Sequence, residues 1–222
     1  MSPAKSRSKE VWCAWPVAPL KAPDTSPTAL PVGLFEVATA RFVVVDTETT
    51  GLEADARIVE LAAAWVDVAR GEVVEVKSML VHPGVRIPRA ASAVHGITDA
   101  MVKGAPSIDR ALTRFFAYLE DGPVIAHNAR FDVARLRFEA ERTASRVPGK
   151  LPVYCSLKMA KRAIPGQPSY RLDSLATTLQ LSRQGVAHRA GSDVGVTAKL
   201  VLRCITEAKK DLKDIVAQED TL

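Results

Sequence analysis

The chain has 222 residues, 47% of them hydrophobic, enough for one domain with a sizeable core and some excess chain. Its formal net charge of +5 suits a polyanionic partner without requiring one. Three widely spaced cysteines argue against a disulfide framework or a zinc site and fit a reducing cytoplasm, and no apolar run approaches the roughly 20 residues that span a bilayer. The basic N-terminus has no apolar stretch behind it, so no signal peptide is expected.

Residues 1–40 hold six of the 14 prolines and lack periodicity. They read as an extended or disordered arm, a place for a protein partner to bind. Docking of Trp12 or Trp15 on the domain and an untethered tail are both open readings. The domain is expected over 41–210, with a charged tail over 211–222.

The domain opens on Arg41-Phe42-Val43-Val44-Val45-Asp46-Thr47-Glu48-Thr49-Thr50-Gly51-Leu52. The apolar run from Phe42 to Val45 suits a strand covered on both faces. Side chains alternate along a strand, so Asp46 and Glu48 share one face at its end. Two close carboxylates resist joint ionisation unless a cation lies between them, and hard divalent cations take such oxygen ligands. Gly51 is read as the point of a sharp turn.

Strands are expected over 58–68 and 73–81, joined by a turn at Arg70-Gly71. A short helix over 90–94 is interrupted by His95-Gly96-Ile97-Thr98, with Thr98 capping a second piece over 99–103. Apolar residues at helical spacing predict a helix over 106–120, with Pro106 in its first turn. Val124-Ile125-Ala126 reads as a buried strand running into His127-Asn128-Ala129-Arg130-Phe131-Asp132 and a helix to about 142. Asp132 falls in that helix's first turn, where the dipole favours an acid; beside Asp46 and Glu48 it becomes a third candidate ligand.

Pro148-Gly149 closes this segment; a fifth strand over 151–154 precedes a helix over 156–163 capped by Ser156, then a loop over 164–170 and a helix over 172–179. Asp173 reads as a first-turn acid rather than a catalytic group. Gln180-Leu181-Ser182 reads as ordinary packing. His188 falls in a loop, and Asp193 lies near the start of the long last helix.

Asp-x-Glu at 46–48, His-Asn-x-x-Phe-Asp at 127–132 and His-x-x-x-x-Asp at 188–193 stand in the order found in the DEDDh 3′–5′ exonucleases. Over about 41–207 the chain resembles that family, and His95-Gly96-Ile97-Thr98 resembles its proofreading epsilon-type branch. The resemblance implies an α/β ribonuclease H-like fold, a mixed five-stranded sheet flanked by helices. It implies that Asp46, Glu48, Asp132 and Asp193 hold two divalent cations, Mg²⁺ or Mn²⁺, with His188 as general base and Glu48 also at the reacting centre. Thr47, Thr49, Leu52, His95, Asn128 and Phe131 would border the 3′-terminal nucleotide, Leu52 wedging against its base. The implied activity is release of nucleoside 5′-monophosphates from single-stranded or frayed 3′ ends of DNA in the cytoplasm. RNA processing, or a binding subunit with secondary catalysis, is the alternative. The sequence departs from the family where Gly191 replaces a common leucine and Cys155 a common acid; Gly191 and Gly195 should loosen the start of the last helix. The clamp-binding peptide of epsilon is not evident after Leu212.

Overall fold

A computed structural model describes residues 41–119, 122–147 and 151–208, and the backbone of Gln218–Thr221. The expected arm over 1–40, the turn at Pro148-Gly149 and most of the tail lie outside the described residues.

The expected five strands are present. The apolar run extends to β1 (Arg41–Thr49), followed by β2 (Ile58–Asp67), β3 (Glu72–Leu80), β4 (Val124–Ala126) and β5 (Pro152–Cys155). β1–β2 and β2–β3 pair antiparallel, whereas β1–β4 and β4–β5 pair parallel. A sixth strand, β6 (Gln218–Thr221), pairs antiparallel with β5, within a stretch that reads from sequence as tail. The order β3-β2-β1-β4-β5-β6 puts β1 inside the sheet.

Seven helices are described: α1 (Arg89–His95), α2 (Asp99–Val102), α3 (Ile108–Leu119), α4 (Arg130–Thr143), α5 (Ser156–Ala163), α6 (Leu172–Thr178) and α7 (Ala190–Glu207). Strand alternation divides the core. Val43 and Val45 face a layer that includes Phe115 and Phe116 of α3 and Leu136 of α4. Phe42 and Val44 face Met159 of α5, Leu175 of α6 and Val194 and Val201 of α7. This two-sided covering is why β1 carries a continuous apolar run. Burying each such side chain contributes about 1.5–3 kcal/mol. Among the described residues no helix is long and apolar enough to cross a membrane.

Several local expectations are corrected. Thr98 occupies the N-cap of α2 but makes no side-chain cap bond. Ser156 is the first residue of α5, not its cap, and its hydroxyl serves His127 instead. α3 begins at Ile108, because Pro106 and Ser107 are engaged with His82: the His82 amide donates to the Pro106 carbonyl at 2.9 Å. Gly51 is not among the residues with positive φ, so the chain leaves β1 without a left-handed residue there. Gly191 and Gly195 both lie inside a continuous α7. A Cβ on Gly191 would come within 3.1 Å of Ser78 Cβ, so glycine lets α7 close on β3.

Candidate active site

The alternation that buries Phe42 and Val44 carries Asp46 and Glu48 out onto the α7 side of β1. Asp193, in the first turn of α7, completes a cluster in which one carboxylate oxygen from each of the three lies within 4.8 Å of the others. Asp132 stands beside this cluster rather than within it. It comes from the first turn of α4, on the opposite face of the sheet, and accepts a hydrogen bond from the Thr47 hydroxyl at 2.8 Å.

Burial, then Asp132, Glu48 and Glu60, raises the Asp46 carboxyl well above its usual range, with Arg183 opposing. Burial, then Glu60 and Asp132, pushes Glu48 up to about 8, with Arg189 opposing. Burial pushes Asp132 up to about 7 against hydrogen bonds from Thr47. Converging, partly desolvated carboxylates of this kind hold a proton or a cation between them. A donor set made only of carboxylate oxygens fits Mg²⁺ or Mn²⁺ rather than a soft metal.

Among the described residues, His188 makes no hydrogen bond or ion pair with the three clustered acids. It has a left-handed φ of 57°, its ring is half exposed, and its Nε2 lies 3.4 Å from Asp173 Oδ2. Arg183 bridges the same two regions, donating to Asp193 and, at 2.5 Å, to Asp173 Oδ1. Asp173 is the first-turn acid expected from sequence and is also the anion that Arg183 and His188 share.

Thr47, Thr49 and His95 are buried and their polar groups are spent within the protein. Thr49 donates to the Gly51 carbonyl at 2.6 Å. His95 Nδ1 accepts from the Ile97 amide at 3.0 Å, which leaves Nε2–H to donate to the Thr49 carbonyl at 3.2 Å. Burial lowers its pKa and keeps this ring neutral. His95 therefore ties the α1 end to the edge of the site. Asn128 is exposed with a φ of 63°, Phe131 is half-buried, and Leu52 projects at 83% exposure.

Glu60 is a member of the site that the sequence reading passed over. Its buried carboxylate accepts from Arg189 Nε and Nη2 at 3.0 and 2.9 Å and from the Ala190 amide at 3.0 Å. It thus caps α7 from β2 and fixes where Asp193 falls. The available signal was an acid inside the otherwise apolar run Ile58-Val59-Glu60-Leu61-Ala62-Ala63-Ala64. His127, which heads the motif at 127–132, has a supporting place: Ser156 donates to its Nδ1 at 2.9 Å and its Nε2–H donates to the Tyr170 carbonyl at 3.0 Å, joining β4, α5 and the loop before α6.

An oxygen-donor cluster at the end of the inner strand of a mixed sheet, with helices on both faces, is the arrangement of a ribonuclease H-like hydrolase. Residues 43–201 match the family model described as Exonuclease (RNase_T), and the chain belongs to that family. It is 32% identical over 167 residues to the DNA polymerase III epsilon subunit of Aquifex aeolicus, covering 75% of this chain and 81% of that one. It is 36% identical over 172 residues to the PolC-type DNA polymerase III of Thermotoga maritima, covering 77% of this chain but only 12% of the polymerase. Exonuclease X, solved in complex with 5′ overhanging duplex DNA, superposes with a TM-score of 0.62 at 31% identity, covering 78% of this chain and 96% of that one. The protein is a 3′–5′ exonuclease, a hydrolase of nucleic acid.

Proposed function

We propose that the protein removes nucleotides one at a time from single-stranded or frayed 3′ ends of DNA, releasing nucleoside 5′-monophosphates by a two-metal mechanism. The observation that carries this reading is the mutual approach of the Asp46, Glu48 and Asp193 carboxylates within 4.8 Å beside Asp132. These four acids would hold the cations, Mg²⁺ or Mn²⁺. Once bound, such ions supply charge that stabilises both the attacking and the leaving oxygen of an in-line displacement at phosphorus.

His188 takes the proton of the attacking water, the task for which a histidine near neutrality is suited. The water oxygen forms a bond to the terminal phosphorus, and the bond to the 3′ oxygen of the preceding nucleotide breaks. The phosphate stays on the 5′ oxygen of the released nucleotide, and the freed 3′ oxygen takes a proton from solvent to become a hydroxyl. Asp173, facing His188 Nε2, is the group available to direct the ring. Leu52 wedges against the terminal base, Phe131 offers a ring face, and Asn128 lies exposed at the turn before it. Thr47, Thr49 and His95 shape the adjoining wall. Apolar contacts of this sort accept any base.

The test is a matched digestion of single-stranded DNA, a duplex with a mismatched 3′ end, and RNA, each labelled at either end. Mononucleotides released from the 3′ end, fastest from single-stranded or mismatched DNA, support the reading. Faster digestion of RNA would move the substrate to RNA, and release from the 5′ end or internal cutting would overturn the polarity.

A further inference from the structure

Leu52 is exposed at 83%, the largest exposure among the big apolar side chains described. Exposing such a side chain forgoes its burial energy, so an apolar tip at an active-site edge needs the chain beneath it held in place to be useful. The segment between β1 and β2 is held. The Thr50 amide donates to the Arg57 carbonyl at 2.8 Å, and the Arg57 amide donates to the Thr50 hydroxyl at 2.9 Å. The Ala56 amide donates to the Glu53 carbonyl at 3.0 Å.

The rest of the hold comes from one face of α4. Arg135, only 8% exposed, donates through Nη1 to the Glu53 carbonyl at 2.5 Å and to the Ala54 carbonyl at 2.8 Å. One turn on, the fully buried Glu139 accepts from Arg57 Nε at 2.8 Å and from the Ile58 amide at 3.2 Å. The two residues, four apart on a helix, thus grip the two sides of the segment that carries Leu52. The Arg135 guanidinium also lies 5.8 Å from the centre of the Phe131 ring, and its buried Nε has no hydrogen-bond partner among the described residues. Burying a guanidinium against main-chain carbonyls is costly, and a residue placed only to fill space would be apolar.

We infer that Arg135 is a positioning residue: it sets Leu52 over the site and so governs how the 3′-terminal nucleotide is held. This rests on the reading of Leu52 given above. The same helix carries Asp132 in its first turn, so α4 places both a cation ligand and, through Arg135, the apolar wedge.

The experiment is a double-mutant cycle with Arg135→Met, Leu52→Ala and both together. It is read as KM and kcat on a 3′-labelled single-stranded oligonucleotide with Mn²⁺, alongside Mn²⁺ binding by calorimetry. Arg135→Met is expected to raise KM roughly tenfold, the scale of one base contact, with kcat and Mn²⁺ affinity near those of the parent. In the Leu52→Ala background the same change should do almost nothing. Arg135→Lys, which keeps a charged donor for the carbonyls, should show a smaller rise in KM that also vanishes without Leu52. Multiplicative effects of the two changes, or a fall in kcat and Mn²⁺ affinity, would make Arg135 a support for Asp132 and overturn the inference. So would loss of the folded state in both Arg135 variants. A parent protein that does not digest the oligonucleotide fails the proposed function instead, before any variant is compared.

Discussion

Burial holds the Glu48 carboxyl at about 8 and that of Asp132 at about 7, against ordinary values of 4.5 and 3.8. Between the ordinary and the raised value the unfolded chain has lost its proton while the folded chain keeps it. Stability of the metal-free protein therefore falls with rising pH, from 4.5 to about 8 for Glu48 and from 3.8 to about 7 for Asp132. A divalent cation favours the ionised carboxylates and must expel these protons as it binds. Thermal melts from about pH 5 to about 8 should show the metal-free midpoint dropping and the gap to the Mn²⁺-saturated midpoint widening. A metal-free midpoint that rises over this range would contradict the assigned electrostatics. His188 makes a different claim. Its replacement by alanine should cost roughly 10²–10⁴-fold in single-turnover rate, the usual worth of a positioned acid or base. Mn²⁺ affinity by calorimetry should survive, since the four carboxylates remain. A variant that loses the metal as well would make His188 a ligand or a support.

At the scale of elements, α7 shows where a sequence argument works and where it stops. Its long apolar pattern and the acid in its first turn were legible, as was the two-sided burial of β1. The role of its glycines was not, because the neighbour that demands Gly191 is Ser78 on β3, more than a hundred residues away. Gly195 has open space around its missing side chain and no positive φ. Gly195→Ala should therefore add about 0.5–1 kcal/mol of stability, a rise of about 1–4 °C in melting temperature. An unchanged or lower midpoint would show that the open face of α7 is needed as glycine. The same limit of sequence reading applies to the caps. Ser156 and Thr98 have the residue type of caps, but Ser156 gives its hydroxyl to His127, and α7 is capped instead from β2 by Glu60. Sequence pattern and the family resemblance singled out Asp46, Glu48 and Asp193, which the fold brings within 4.8 Å of one another. They could not reveal the contacts of Glu60, Arg135, Asp173 and Arg183, which depend on elements brought together only by the fold.

For the whole molecule, every candidate catalytic residue lies after residue 40. We therefore expect deletion of residues 1–40 to leave digestion of a short oligonucleotide largely unchanged, with any loss confined to binding of a protein partner. A large fall in melting temperature on deletion would instead make Trp12 or Trp15 part of the core. The central claim is that one cation-holding site, the cluster from β1 and α7 with Asp132 of α4 beside it, performs the hydrolysis. It is tested most directly by following a 3′-labelled single-stranded oligonucleotide with the parent protein and Asp46→Ala, each in excess chelator and then with Mn²⁺ restored. The parent should stop in chelator and resume mononucleotide release with Mn²⁺, while folded Asp46→Ala stays nearly inactive throughout. Digestion by the parent that continues in chelator, or Asp46→Ala activity near the parent's, would contradict the account.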